Sequence, residues 1–139
     1  MTGIDGITMK ELFAEARKAA DFAYAPYSKF RVGAALLADD GTVYTGCNVE
    51  NRSFGLTVCA ERNAVFKAVS SGRRSFRALA LSTPDSERPV GPCGACRQVL
   101  SEFMAPSSPV CFGGSGKETV ETTMGILYPL DSLHDLKNL

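Results

Sequence analysis

Two short motifs constrain this chain more than anything else in its 139 residues: Cys59-Ala60-Glu61 and, after a gap of thirty residues, Pro92-Cys93-Gly94-Ala95-Cys96. Each lies where a helical pattern begins, so a fold that uses both must bring two helix N-termini together. Cys93 and Cys96 are three apart and share one face of a first helical turn. Cys59 completes a set of three thiolates. Three sulfur ligands leave one tetrahedral position of a Zn²⁺ ion for water, which is how a catalytic zinc differs from a closed structural one. Glu61, two residues beyond a ligand, is the carboxylate placed to carry protons beside that water.

The remaining cysteines, Cys47 and Cys111, fall inside strand-like apolar runs and read as small apolar residues. The first twenty residues hold Asp5, Lys10, Glu11, Glu15, Arg17 and Lys18 with no apolar leader core, so a cytoplasmic, reducing setting is expected. There, an odd set of five cysteines stands for thiols and metal ligands, not disulfides. Fifteen basic residues offset fifteen acidic ones, so no net field draws the chain to a polyanion. The longest apolar runs, such as Val32 to Ala38, are too short to cross a membrane. His134 is the single histidine and sits five residues from the end; it reads as a surface residue without a catalytic role.

Apolar residues at 45% and charged residues at 22% describe one folded domain spanning residues 1–139. Thr8-Met9-Lys10-Glu11 fits a capping box, and Met9, Leu12, Phe13, Ala16, Ala20 and Ala23 keep helical spacing until Pro26. Phe30 to Ala38 and Thr42 to Asn48 read as a hairpin around Asp39-Asp40-Gly41. A helix from Cys59 to Ser70, a buried strand from Phe76 to Leu81 and a helix after Pro92 follow. The last pieces are a strand from Pro109 to Phe112, a turn at Gly113-Gly114-Ser115-Gly116, and a strand near Glu118 to Thr122. The glycine-rich stretch lacks the ending of a phosphate-binding loop. This order predicts an α/β fold of three layers, α/β/α, with a mixed sheet of about five strands.

Five motifs carry a family resemblance that runs from about Leu12 to Leu127: Ala25-Pro26-Tyr27-Ser28-Lys29-Phe30, Val32-Gly33-Ala34-Ala35, Gly46-Cys47-Asn48-Val49-Glu50-Asn51, Cys59-Ala60-Glu61-Arg62 and Pro92-Cys93-Gly94-Ala95-Cys96-Arg97-Gln98. The chain resembles the small, homotetrameric, zinc-dependent cytidine deaminases. The resemblance implies hydrolytic deamination of cytidine and deoxycytidine to uridine and deoxyuridine, with release of ammonia, in pyrimidine salvage. It assigns one zinc per chain to Cys59, Cys93 and Cys96, and proton shuttling to Glu61. It also implies that Phe30 presses on the nucleoside and that the backbone of Ala60 contacts the base. Asn48 and Glu50 alternate with Val49 and so point to one side, where they can bind a ribose hydroxyl. Three thiolates and Zn²⁺ sum to minus one, so positive groups are expected close by; Arg62 and Arg97, each next to a ligand segment, are the candidates.

The departure is at the C-terminus. The family usually has a Phe shortly after a Leu-Leu-Pro motif, reaching a neighbouring subunit's site, whereas Leu127-Tyr128-Pro129-Leu130-Asp131-Ser132 offers none. Phe54 or Tyr128 would have to supply that apolar contact in the expected tetramer. Three other readings compete. A deaminase of a modified cytosine nucleoside, of the blasticidin type, should differ at Asn-Val-Glu, which is intact here. An enzyme editing cytosines in a polymer needs a basic or aromatic track, and the aromatic residues read as mostly buried. A non-enzymatic zinc module needs a fourth ligand, Cys47 or Cys111.

Overall fold

The computed structural model describes residues 3–4 and 6–138, with side chains from 6 to 136. In chain order the elements are β1 (Gly3–Ile4), β2 (Ile7–Thr8), α1 (Met9–Ala20), β3 (Gly33–Ala38), β4 (Val43–Cys47), α2 (Ala60–Ser70), β5 (Phe76–Thr83), α3 (Gly94–Phe103), β6 (Pro109–Gly114), β7 (Thr119–Thr123) and α4 (Met124–Leu127). Single 3₁₀ turns lie at Phe54–Leu56 and His134–Asn138. Five strands form one sheet in the order β4-β3-β5-β6-β7. Only β5 and β6 run parallel, and the helix α3 makes the crossover between them.

Side chains alternate along each strand, so the sheet feeds two cores. Ala35, Leu37, Ala78, Ala80 and Cys111 pack under Met9, Leu12 and Ala16 of α1. On the opposite face Ala34, Leu36, Leu79, Leu81 and Val110 pack against Ala60, Ala64, Val65 and Ala68 of α2 and Leu100 of α3. The three-layer mixed sheet expected from the sequence is the one observed.

Glycine sets how closely each helix approaches. A Cβ on Gly46 would lie 2.5 Å from the Ala60 carbonyl oxygen and 2.5 Å from the Ala64 nitrogen, so α2 rests directly on the β4 backbone. Gly33 does the same for α1, where a Cβ would meet the Ala16 oxygen at 2.0 Å. At the hairpin tip Gly41 has φ +89°, a left-handed value that favours glycine.

Four details differ from the sequence expectation. The helix α1 ends at Ala20, short of Pro26, because the chain turns away to lay Tyr24 beside Val49: Tyr24 N donates to the Asn48 carbonyl at 3.0 Å and Glu50 N to the Tyr24 carbonyl at 2.9 Å. The strand β3 begins at Gly33 instead of Phe30, since the backbone just before it is held by side chains. Gly113 and Gly114 belong to β6, not to a turn; a Cβ on Gly114 would meet the Ser86 carbonyl at 2.0 Å in the loop at 86–88, and one on Gly113 would lie 2.9 Å from Thr119 and 3.2 Å from the Phe13 ring, so both serve close packing. Finally, Phe22, Tyr24, Tyr27, Phe54 and Phe66 are exposed, which corrects the mostly buried aromatic pattern. No helix among the described residues is long and apolar enough to cross a membrane.

Candidate active site

Both α2 and α3 start at a cysteine. Cys59 and Cys93 occupy the N-cap positions with extended backbone, and neither spends its side chain on capping, so both sulfurs are available. Cys96 lies one turn into α3. The three Sγ atoms fall within 4.8 Å of one another, and Cys59 and Cys93 are 4.0 Å apart. Zinc–sulfur bonds of about 2.3 Å in a tetrahedron place sulfurs about 3.8 Å apart, so the cluster fits one zinc ion with little movement. Cys96 is buried, Cys59 half-buried and Cys93 exposed, which leaves one side of the cluster open to an incoming molecule. Among the described residues this is the one group of three or more candidate ligands. Cys111 packs in the core beneath α1, on the other face of the sheet, and pleating turns Cys47 to that face too, opposite Gly33. Neither can supply a fourth ligand.

The electrostatics favour thiolate at Cys59. The Arg62 guanidinium donates to Cys59 Sγ at 3.4 Å, and the N-terminal ends of two helices point at the cluster. A hydrogen bond from Cys96, then Arg62, pulls the Cys59 thiol down to about 5. Cys96 shifts upward as the partner in that hydrogen bond and through burial. Arg97 plays a different part from Arg62. Its Nε donates to the Pro92 carbonyl at 2.7 Å and its Nη1 to the Leu127 carbonyl at 3.1 Å, so it holds the backbone entering Cys93 and ties it to α4.

Glu61 sits in the first turn of α2, only 3% exposed. Burial pushes its carboxyl up to about 7, where one group can both take and give a proton near neutral pH. Ala60, beside it, is fully buried.

A short antiparallel bridge joins the other candidates to this centre. Val49 N donates to the Val58 carbonyl at 3.0 Å and Val58 N returns the bond at 3.1 Å, one residue before Cys59. Asn63 reinforces the junction by donating to the Cys47 carbonyl at 2.8 Å. Val49 is 43% exposed while Asn48 and Glu50 are 8% and 7%, so the expected alternation turns both polar side chains inward. Each also organises the segment that carries Phe30. Asn48 accepts from Val32 N at 2.8 Å and donates to the Phe30 carbonyl at 2.8 Å. Glu50 accepts from Tyr27 N at 3.0 Å, from Ser28 N at 3.1 Å and from the Ser28 hydroxyl, and this last bond leads in lowering its pKa. The second amide N–H of Asn48 and about one acceptor position on Glu50 Oε2 remain for a ligand. Phe30 itself is half-buried.

Sequence reasoning missed Ser28 and Asn63, whose contacts span 22 and 16 residues; a polar residue just after Pro-Tyr and one in the first turn of α2 were the only local signals. Tyr128 packs on the core beside α3, and His134 is exposed.

Residues 7–112 match the family model described as the cytidine and deoxycytidylate deaminase zinc-binding region. The chain is 56% identical over 121 residues to a cytidine deaminase of Sporosarcina psychrophila, covering 87% of this chain and 88% of that protein. It is 51% identical over 118 residues to a cytidine deaminase of Halalkalibacterium halodurans, covering 85% and 89%. A crystal structure of cytidine deaminase from Burkholderia pseudomallei superposes with a TM-score of 0.84 at 45% identity, covering 88% of this chain and 98% of the other.

Proposed function

The chain belongs to the cytidine and deoxycytidylate deaminase family, and from that premise we propose that residues 1–139 act as one domain that hydrolyses the exocyclic C4–N bond of cytidine and deoxycytidine, releasing ammonia. The observation that carries this reading is a buried carboxylate, Glu61, beside three sulfurs that fit one zinc ion. Zinc held by Cys59, Cys93 and Cys96 would supply a water of lowered pKa as the nucleophile. Everything else falls to the chain. Glu61 takes the proton that this water gives up and hands it to ring nitrogen N3 as oxygen adds at C4. It then takes the remaining hydroxyl proton and delivers it to the departing amino group, so that the carboxylate is regenerated, C4 keeps the oxygen and ammonia leaves. Arg62 offsets the negative charge of the sulfurs, and Arg97 fixes the Cys93 backbone.

In the same reading Asn48 and Glu50 bind ribose hydroxyls with the capacity they have left, Phe30 lies against the pyrimidine, and the Ala60 backbone contacts the base. The enzyme works in the cytoplasm, in pyrimidine salvage, as a homotetramer. Support for assembly is the exposed apolar strip of Tyr24, Tyr27, Val49, Phe54 and Leu56 alongside Asn48 and Glu50.

The test is the loss of cytidine ultraviolet absorbance with purified zinc-loaded protein, paired with metal analysis of two variants. Cys93→Ser should lose zinc and turnover, while Cys111→Ser keeps both. No turnover of cytidine or deoxycytidine, or zinc lost from Cys111→Ser, would overturn the assignment.

A further inference from the structure

We infer that Arg31 and Asp85 form a positioning clamp that fixes the Phe30 segment for nucleoside binding. The inference rests on the proposed contact between Phe30 and the substrate. Residues 30–32 lie outside the strands; the Val32 carbonyl accepts from Asn48 N at 3.2 Å, and the other bonded backbone groups are held by side chains. Phe30 N donates to Ser28 Oγ at 3.1 Å, the Phe30 carbonyl accepts from Asn48, Arg31 N donates to Asp85 Oδ2 at 2.8 Å, and Val32 N donates to Asn48 Oδ1. Ser28 and Asn48 belong to motifs already tied to the site. Asp85 does not: it comes from 54 residues further on, just past the end of β5 on the stretch that leads to Pro92 and Cys93.

The Arg31 side chain closes the clamp. Its Nε donates to Asp85 Oδ2 at 3.0 Å and its Nη2 to Oδ1 at 2.8 Å, a two-pronged guanidinium–carboxylate pair, while Nη1 lies 3.9 Å from Asp21 at the end of α1. Single surface ion pairs fix little, but a bidentate pair with an added backbone bond sets both distance and angle. The Arg31–Asp85 pair therefore adds a side-chain link, beyond the β3–β5 pairing at Gly33 and Ser82, between the Phe30 segment and the chain running to the sulfur cluster, and Arg31 itself reaches the end of α1. Without Asp85, Arg31 N loses its acceptor, and the segment is left to the Ser28 and Asn48 contacts on either side of Arg31.

A residue that positions a ground-state contact raises KM and leaves kcat nearly unchanged, because the contact is the same in the transition state. In zinc-loaded full-length protein, Asp85→Ala should raise KM for cytidine about 3- to 10-fold with kcat within about twofold. Arg31→Ala should do likewise, and the double variant should be no worse than either single one. Asp85→Asn keeps one oxygen for Arg31 N and should fall between, which also covers the case in which Asp85→Ala does not fold. The control is Arg73→Ala, which breaks a comparable exposed pair to Asp40 at 2.8 Å, far along the sheet; its KM should match wild type. Amide exchange at Arg31, which needs no substrate, should accelerate at least about tenfold in Asp85→Ala. Unchanged KM or unchanged Arg31 exchange in the Asp85 variants would refute the clamp, as would an equal rise in KM for Arg73→Ala. Wild-type protein that binds zinc but leaves cytidine untouched would instead refute the deaminase reading, and with it the substrate role given to the clamp.

Discussion

Glu61 occupies a site where burial already works against its charge, so the fold does not depend on the ionised form. A neutral side chain of the same size should be accepted there. Glu61→Gln is expected to keep zinc, melting temperature and cytidine binding while turnover falls about 10²- to 10⁴-fold, because the amide cannot carry the proton. Metal analysis, equilibrium binding and the absorbance assay on one preparation check this, and near-normal turnover would remove Glu61 from the chemistry. Asp85 behaves in the opposite way. Arg31 holds its carboxyl down at about 2, below the roughly 3.9 of an unfolded chain. A depressed acid stabilises the fold above its unfolded pKa and loses that contribution as pH falls through the folded value. The melting-temperature gap between wild type and Asp85→Asn should thus be widest near neutrality and close as pH approaches about 2, with a magnitude below about 1 kcal/mol because the pair is partly exposed. A gap that stays constant with pH would contradict this. The same contrast shows what the sequence discloses at this scale. The sulfur cluster was legible because Cys93 and Cys96 share one helical turn and Cys59 starts a second helix. The Arg31–Asp85 pair was not, since its members lie 54 residues apart with no local pattern to join them.

The elements succeed because each helix can sit almost on the sheet backbone. The α2 helix presents Cys59 and Glu61, and its height above β4 is set at Gly46, where an added methyl group would stand 2.5 Å from helix backbone atoms. Backbone cannot yield as a flexible side chain would, so Gly46→Ala should lift the start of α2, destabilise the protein by about 1–3 kcal/mol and weaken zinc retention. Gly55→Ala, where an added methyl group would meet no atom of the same chain, is the control and should leave metal content unchanged. Equal zinc retention in both variants would show that α2 is not the element that sets the cluster. Period-2 and period-3.6 patterns made the strands and the three long helices readable. What they could not show was where tertiary partners cut elements short. Tyr24 leaves the α1 pattern to bridge Val49, and the stretch after Phe30 trades strand pairing for side-chain partners. Gly113 and Gly114 looked like a turn because close packing, against Thr119 and Phe13 for one and the 86–88 loop for the other, calls for glycine as a bend does. The short α4, four residues long, carries too little periodicity to be seen.

At the scale of the whole molecule, five of the twelve exposed large apolar side chains among the described residues, Tyr24, Tyr27, Val49, Phe54 and Leu56, lie on the segments that flank Asn48 and Glu50. A backbone bridge sets Tyr24 beside Val49, the Tyr27 and Phe54 rings meet edge-on with 5.1 Å between centroids, and exposed Leu56 follows two residues after Phe54. Solitary exposed apolar residues need no explanation, but a group of them flanking a polar site does. A second copy laid over it would exclude water from the nucleoside. Such an interface needs about 1,200–2,000 Å² in total, more than a strip of five side chains alone, so neighbouring surface must join it. If the tetramer completes the pocket, Leu56→Lys should yield smaller assemblies and a raised KM, since Leu56 is 70% exposed and its loss costs the isolated fold little. Zinc content should stay the same, because all three sulfurs come from one chain. Light scattering, metal analysis and KM measured across a dilution series separate these effects. A wild-type monomer with full activity at assay concentrations would refute the shared pocket and leave the sulfur cluster and Glu61 untouched.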